Sequence, residues 1–206
     1  MRRLSVIAVL SGVFVLSCAM PIYERAQVSR GPSFCIGAGG NVGRGVSDWV
    51  FEYGPDVNYF ASGMGTACFR YGFSHRFGMF LQGTGGYGDW LTEQGRVFRP
   101  PWYFDVQLGT KLKVSQPGAL RAGLGIVGLL DVTYLHDFCR GMTGSFGLGF
   151  RGAHLGLTGH VPLSRKVRGY ASLSAVTGWE HVFNWKPDHI PAATFGLGLE
   201  WHRPGQ

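Results

Sequence analysis

The feature that most narrows the folds open to this chain is strict alternation of apolar and polar residues. From Trp102 to Val114 the even positions read Trp102, Phe104, Val106, Leu108, Thr110, Leu112 and Val114; the odd ones read Tyr103, Asp105, Gln107, Gly109, Lys111 and Lys113. Successive side chains of an extended strand point to opposite faces, so this pattern makes one face apolar and the other polar. Ser115-Gln116-Pro117-Gly118 follows with turn chemistry. The same grammar predicts strands over Ser33 to Gly43, Gly63 to Phe73, Phe77 to Tyr87, Ala119 to about Leu135, Tyr170 to Trp179 and Ala192 to His202. No helical periodicity competes. Glycine supplies 34 of the 206 residues, and each would cost about 1 kcal/mol inside a helix, which argues against a helical bundle. An aromatic content of 14% argues against disorder.

One stretch departs from simple alternation. Met142, Gly144, Phe146, Leu148 and Phe150 keep even parity, after which Ala153, Leu155, Leu157 and Val161 are odd. Either a β-bulge at Arg151-Gly152-Ala153 or a tight hairpin there would shift the parity. The bulge is the expectation, since it leaves a strand as long as its predecessor. The count is then about eight, and short links at Ser74–Arg76, Ser115–Gly118 and Pro162–Lys166 alternate with longer ones at Arg44–Ser62, Gly88–Pro101, His136–Arg140 and Glu180–Pro191. The expected fold is all-β, an antiparallel up-and-down transmembrane β-barrel of about eight strands.

The N-terminus has a different character. Arg2 and Arg3 precede an apolar run from Leu4 to Leu16 and then Ser17-Cys18-Ala19, the layout of a secretory signal peptide over residues 1–19. Small residues around Cys18 suit cleavage before Met20, while Val15-Leu16-Ser17-Cys18 resembles the bacterial lipobox, which would make Cys18 a lipid-modified first residue. Residues 20–32 read as a polar spacer and residues 33–206 as the barrel. Without Arg2 and Arg3 the basic count falls from 19 to 17 against 12 acidic residues, and these charges are scattered, so no nucleic-acid partner is expected. Cys35, Cys68 and Cys139 permit one disulfide at most, and their spacing matches no metal motif.

The end of the chain is more specific. Thr194-Phe195-Gly196-Leu197-Gly198-Leu199-Glu200-Trp201 reads polar-x-Gly-x-x-apolar-x-aromatic. It resembles the β-signal that the barrel assembly machinery recognises in the final strand of bacterial outer-membrane proteins, with Thr194, Gly196, Leu199 and Trp201 at the signal positions. Aromatics of the apolar face also gather at strand ends, at Tyr71, Phe73, Phe77, Trp102, Phe104, Trp179 and Trp201, as rings at a headgroup boundary do. With these features the chain resembles the small outer-membrane barrels of the OmpA membrane-domain and OmpX kind. The resemblance implies an outer-membrane location, contact with outer-membrane lipid and insertion by the assembly machinery.

The polar face carries the candidate chemistry. Pairing across Pro162–Lys166 sets His160 opposite Tyr170 and Thr158 opposite Ser172, and the last hairpin brings in Glu200. His160, Tyr170, Ser172 and Glu200 thus form a lumen polar cluster, either mutually satisfied or a proton relay of a lipid-modifying enzyme. Arg70, Asp105, Lys111, Lys113, Arg121, Asp131 and Arg151 join Glu200 facing inward, expected as an ion-pair ladder closing a narrow lumen, with a weakly anion-selective pore as the alternative. Trp49, Phe51, Tyr53, Trp90, Trp102 and Trp185 could offer an aromatic rim to a surface partner. Gly37-x-Gly39-Gly40 lacks the setting of a nucleotide loop. The expected role is structural or interactive within the bacterial envelope, with no catalysis, cofactor or metal. The alternatives are a lipid-modifying barrel enzyme and a soluble lipocalin-like lipoprotein holding an apolar ligand.

Overall fold

A computed structural model of the chain describes residues 22–46, 57–92, 97–98, 103–126, 129–149, 152–178 and 192–203. The strands are β1 (Gly31–Val46), β2 (Val57–Gly72), β3 (Phe77–Thr92), β4 (Val97–Phe98), β5 (Tyr103–Lys113), β6 (Gly118–Gly125), β7 (Leu129–Cys139), β8 (Met142–Gly149), β9 (Gly152–Pro162), β10 (Val167–Gly178) and β11 (Ala192–His202). All pair antiparallel. Because β2 pairs with both β1 and β3, and β1 with β11, the sheet closes into a ring of ten strands, to which β4 adds a two-residue rung on β3. Each of the ten described strands of the ring therefore has a partner on both sides.

The alternation decides which way each side chain points. Phe69, Leu81, Leu108, Leu124 and Phe146 are exposed on the outside, whereas Thr66, Asp105, Lys111, Arg121, Thr133 and Glu200 are buried inside. A lipocalin-like interior would need Phe104, Leu108, Leu124 and Leu197 within; they face outward and are 55%, 54%, 64% and 70% exposed.

The count of about eight is corrected at two places. What alternation presented as one strand from Ala119 to Leu135 is the hairpin β6–β7, paired Gly123↔Asp131, Leu124↔Leu130 and Gly125↔Leu129. A three-residue connection preserves parity, so this hairpin and a continuous strand have the same pattern. The expected bulge at Arg151-Gly152-Ala153 is also absent: β8 and β9 form a tight hairpin with Gly149↔Gly152, Leu148↔Ala153 and Phe146↔Leu155. A two-residue connection reverses parity as a bulge would. Length decides between them, since one strand over 141–161 would run about 70 Å at ~3.3 Å per residue, whereas neighbouring β10 has 12 residues.

Four tight turns, at 73–76, 114–117, 140–141 and 163–166, share one end of the barrel with both ends of the sheet. His136–Arg140, expected as a long loop, is therefore the end of β7 and the start of a turn. Two turns are built alike: Ser74 Oγ accepts from the Arg76 and Phe77 amides, and Ser164 Oγ from those of Lys166 and Val167.

Candidate functional site: the occupied lumen

Much of the stretch expected as a spacer instead lies inside the barrel over residues 22–28, whereas Gln27, Ser29 and Arg30 are exposed. Tyr23, Glu24, Ala26 and Val28 are 2%, 4%, 1% and 8% exposed. The chain joins the wall at Gly31, whose φ of +87° is open to glycine and strained for other residues. Two sides of the barrel hold the segment by different means.

One side uses charge. Glu24 Oε1 lies 3.1 Å from Lys111 Nζ and 3.5 Å from Arg70 Nε, and its Oε2 lies 3.2 Å from Arg121 Nε. Lys111 also donates to the carbonyls of Arg25 and Gln27, and Arg70 to the carbonyl of Tyr23 at 2.7 Å. Arg121 is held over the Phe80 ring at 3.8 Å and donates to Gln82 Oε1 at 2.8 Å. Burial by itself would raise the Glu24 pKa; the Lys111 ammonium and the Arg70 and Arg121 guanidiniums outweigh it and hold the carboxyl well below the usual range.

The other side uses shape. The Tyr23 ring lies across Gly37, Gly196 and Gly198. A Cβ on Gly37 or Gly196 would overlap the ring or its hydroxyl, and one on Gly198 would lie 3.0 Å from Tyr23 Cγ. The hydroxyl donates to the Ala38 carbonyl at 3.3 Å. Further anchors are Ala26 N–H to Asp137 Oδ1 at 2.9 Å and Thr158 Oγ1 to the Ile22 carbonyl at 2.9 Å. A cavity of about 40 Å³ remains between segment and wall beside Glu24, Arg70, Lys111 and Glu200, room for a few waters.

The anticipated polar cluster assembles against this segment. His160 and Tyr170 are paired in register with ring centroids 6.0 Å apart, and Thr158 faces Ser172 at 3.4 Å. Tyr170 donates to Glu200 Oε2 at 2.5 Å, while Arg70 and Arg168 bind the two Glu200 oxygens at 2.9 and 3.1 Å. His160 Nε2 lies 3.4 Å from Thr143 Oγ1. These groups are engaged with one another, and Arg70 carries the network on to Glu24. Chemically the arrangement ties β2, β10 and β11 to the segment. A second network, nearer the opposite end, joins Asp131, Thr133, His154 and Arg121.

Within the C-terminal signature, Thr194 is buried in the lumen, Gly196 seats the Tyr23 hydroxyl, and Leu199 and Trp201 face outward. Cys35 and Cys68 are directly opposed, buried beneath Tyr23 and present as free thiols, whereas Cys139 is exposed. Among the described residues no cluster of His, Cys, Asp or Glu is arranged for a metal. Cys18, Trp49, Phe51, Tyr53, Trp102, Arg151, Trp179 and Trp185 lie outside the described residues, as does the side chain of Trp90.

Sequence reasoning missed Tyr23 and Glu24. A signal was present in the inward set itself, where Arg70, Lys111, Lys113, Arg121 and Arg151 outnumber Asp105, Asp131 and Glu200. A lumen with surplus cations calls for a further carboxylate.

No family model and no curated protein matches this sequence. Among solved structures, an outer-membrane channel from Pseudomonas putida F1 aligns over 88% of this chain and 99% of its own, with 8% identity and a TM-score of 0.46. The translocator domain of the autotransporter NalP from Neisseria meningitidis aligns over 98% and 94%, with 11% identity and a TM-score of 0.40. Ail, the attachment invasion locus protein of Yersinia pestis, aligns over 83% and 98%, with 12% identity and a TM-score of 0.34. The structural neighbours are thus bacterial outer-membrane barrels, and this chain is a closed β-barrel.

Proposed function

We propose that this protein is a bacterial outer-membrane β-barrel whose lumen is occupied by its own N-terminal segment, and that it serves a structural or surface-interaction role without catalysis. The observation that carries the reading is the inversion of the barrel: ionic groups fill the interior while Phe, Leu, Ile and Val cover the exterior. A protein in water rarely exposes a contiguous apolar patch beyond a few hundred Å². In lipid the same belt is matched to its solvent, and a closed sheet satisfies every wall hydrogen bond. Tyr71, Phe73, Phe77 and Trp201, exposed near the tight-turn end, suit one headgroup boundary. The segment latched across the lumen favours a plugged barrel over a standing pore. The partners on this reading are outer-membrane lipid, the barrel assembly machinery during insertion, and a surface partner at the long-connection end.

The test is cell fractionation followed by gel electrophoresis with and without boiling. The expected result is an outer-membrane band whose mobility changes on heating. Release by alkaline carbonate with no heat-dependent shift would overturn the reading.

A further inference from the structure

We infer that the outer wall carries a site for one anionic phospholipid, its acyl chain in a groove across β9, β10, β11 and β1 and its phosphate at the tight-turn rim. The inference rests on the membrane reading above. The groove is a shallow, open depression with about 830 Å³ of space along the wall. It exists because three adjoining outward positions are small: Gly159 faces Ala171 in the β9–β10 register, and Gly169 lies between Val161 and Leu199 in its two registers. The bulky neighbours Ile36, Val161 and Leu197 form its sides. This is an apolar channel in the exterior that reaches the turn at 140–141, with the Leu163 side chain beside Gly169 on the flank nearer the turn at 163–166.

Charge selects the occupant. Gly141 lines the groove, and Arg140 precedes it; Arg165 and Lys166 occupy the turn joining β9 and β10; Arg203 follows β11. All four are exposed, and the turn segments at this end contain no Asp or Glu. The carboxylates whose side chains are described, Glu24, Asp105, Asp131, Asp137 and Glu200, face the lumen instead. A lipid with an apolar tail and a net negative headgroup satisfies both halves of this surface. A zwitterionic lipid carries an amine that the rim would repel.

The experiment uses the full-length protein purified in a zwitterionic detergent, with native mass spectrometry after addition of phosphatidylglycerol or phosphatidylcholine, and a boiled-versus-unboiled gel on the same sample. The expected result is one retained phosphatidylglycerol, bound at least tenfold more tightly than phosphatidylcholine. Gly159→Leu should weaken it about tenfold by filling the groove; a Cβ there meets nothing nearer than the Ala171 carbonyl at 3.9 Å, so the wall accommodates the change. The Arg165→Gln/Lys166→Gln double variant should weaken it similarly. Arg76→Gln, in the turn between β2 and β3, should change it less than twofold. Equal retention of both lipids, or a Gly159→Leu protein that binds as before, in a sample with a heat-shifted band would overturn the site alone. A sample with no heat-shifted band would overturn the membrane reading and the site with it.

Discussion

The two sides of the lumen that hold residues 22–28 work on different physics. Where β1 meets β11, Gly37, Gly196 and Gly198 make a slot for Tyr23, and the grip is shape. Across the lumen, Arg70, Lys111 and Arg121 surround Glu24, and the grip is charge among buried groups. Shape is short-ranged, so one methyl group alters it. The charge side is a set: removing Glu24 leaves Lys111 with no carboxylate partner among the described residues, while Arg70 keeps Glu200 and Arg121 keeps only Asp131 at 3.8 Å, and the penalty exceeds the loss of any one pair.

The largest expected effect comes from breaking the charged side. Glu24→Gln should weaken the latch by about 3–5 kcal/mol, the usual cost of removing one partner from a buried ionic set. Maleimide labelling reads this out: in the native protein exposed Cys139 should react while Cys35 and Cys68, 1% and 3% exposed, should be protected. In Glu24→Gln both buried thiols should label at least tenfold faster, and unchanged protection would refute the latch.

Acid should act on the same side more gradually. The Glu24 pKa is lowered in the fold, so its contribution is complete above the ordinary carboxylate value of ~4.3 and fades as pH falls through the lowered one. Single-channel conductance of the reconstituted protein should stay low at pH 7 and rise below about pH 4. Glu24→Gln, already uncharged, should conduct at both.

The shape side should yield less. Gly198→Ala puts a methyl 3.0 Å from Tyr23 Cγ, a misfit of about 1–3 kcal/mol. Tyr23→Ala should relieve most of it, and a double-mutant cycle on thiol protection measures the coupling. Additive effects would mean that Gly198 matters to the wall and not to the ring. The smallest effect belongs to the outer face: Gly159→Leu should leave thiol protection within twofold, since its side chain never enters the lumen.

The polar cluster was legible in part. Pairing across the turn at 163–166 follows from alternation, and it sets His160 opposite Tyr170 and Thr158 opposite Ser172 as expected. Glu200 joins them through Tyr170. The contacts that give the cluster its purpose were not legible, because Arg70 comes from the far side of β1 and Glu24 from a segment with no periodicity. Lys111 meets Glu24 across 87 residues of sequence, and no local pattern records such a meeting.

By itself the sequence determined the faces of the wall. Side-chain direction along a strand is local, so Asp105 and Lys111 had to share one side and Leu108 and Leu112 the other. Tertiary structure decided how many strands there are and what fills them. Parity is blind to the three-residue connection between β6 and β7 and cannot separate a bulge from the two-residue connection between β8 and β9. The β5–β6 hairpin sets Lys111 opposite Arg121, and the curved wall brings Arg70 of β2 round to the same point. Three cations in one confined space then create the place that Glu24 fills.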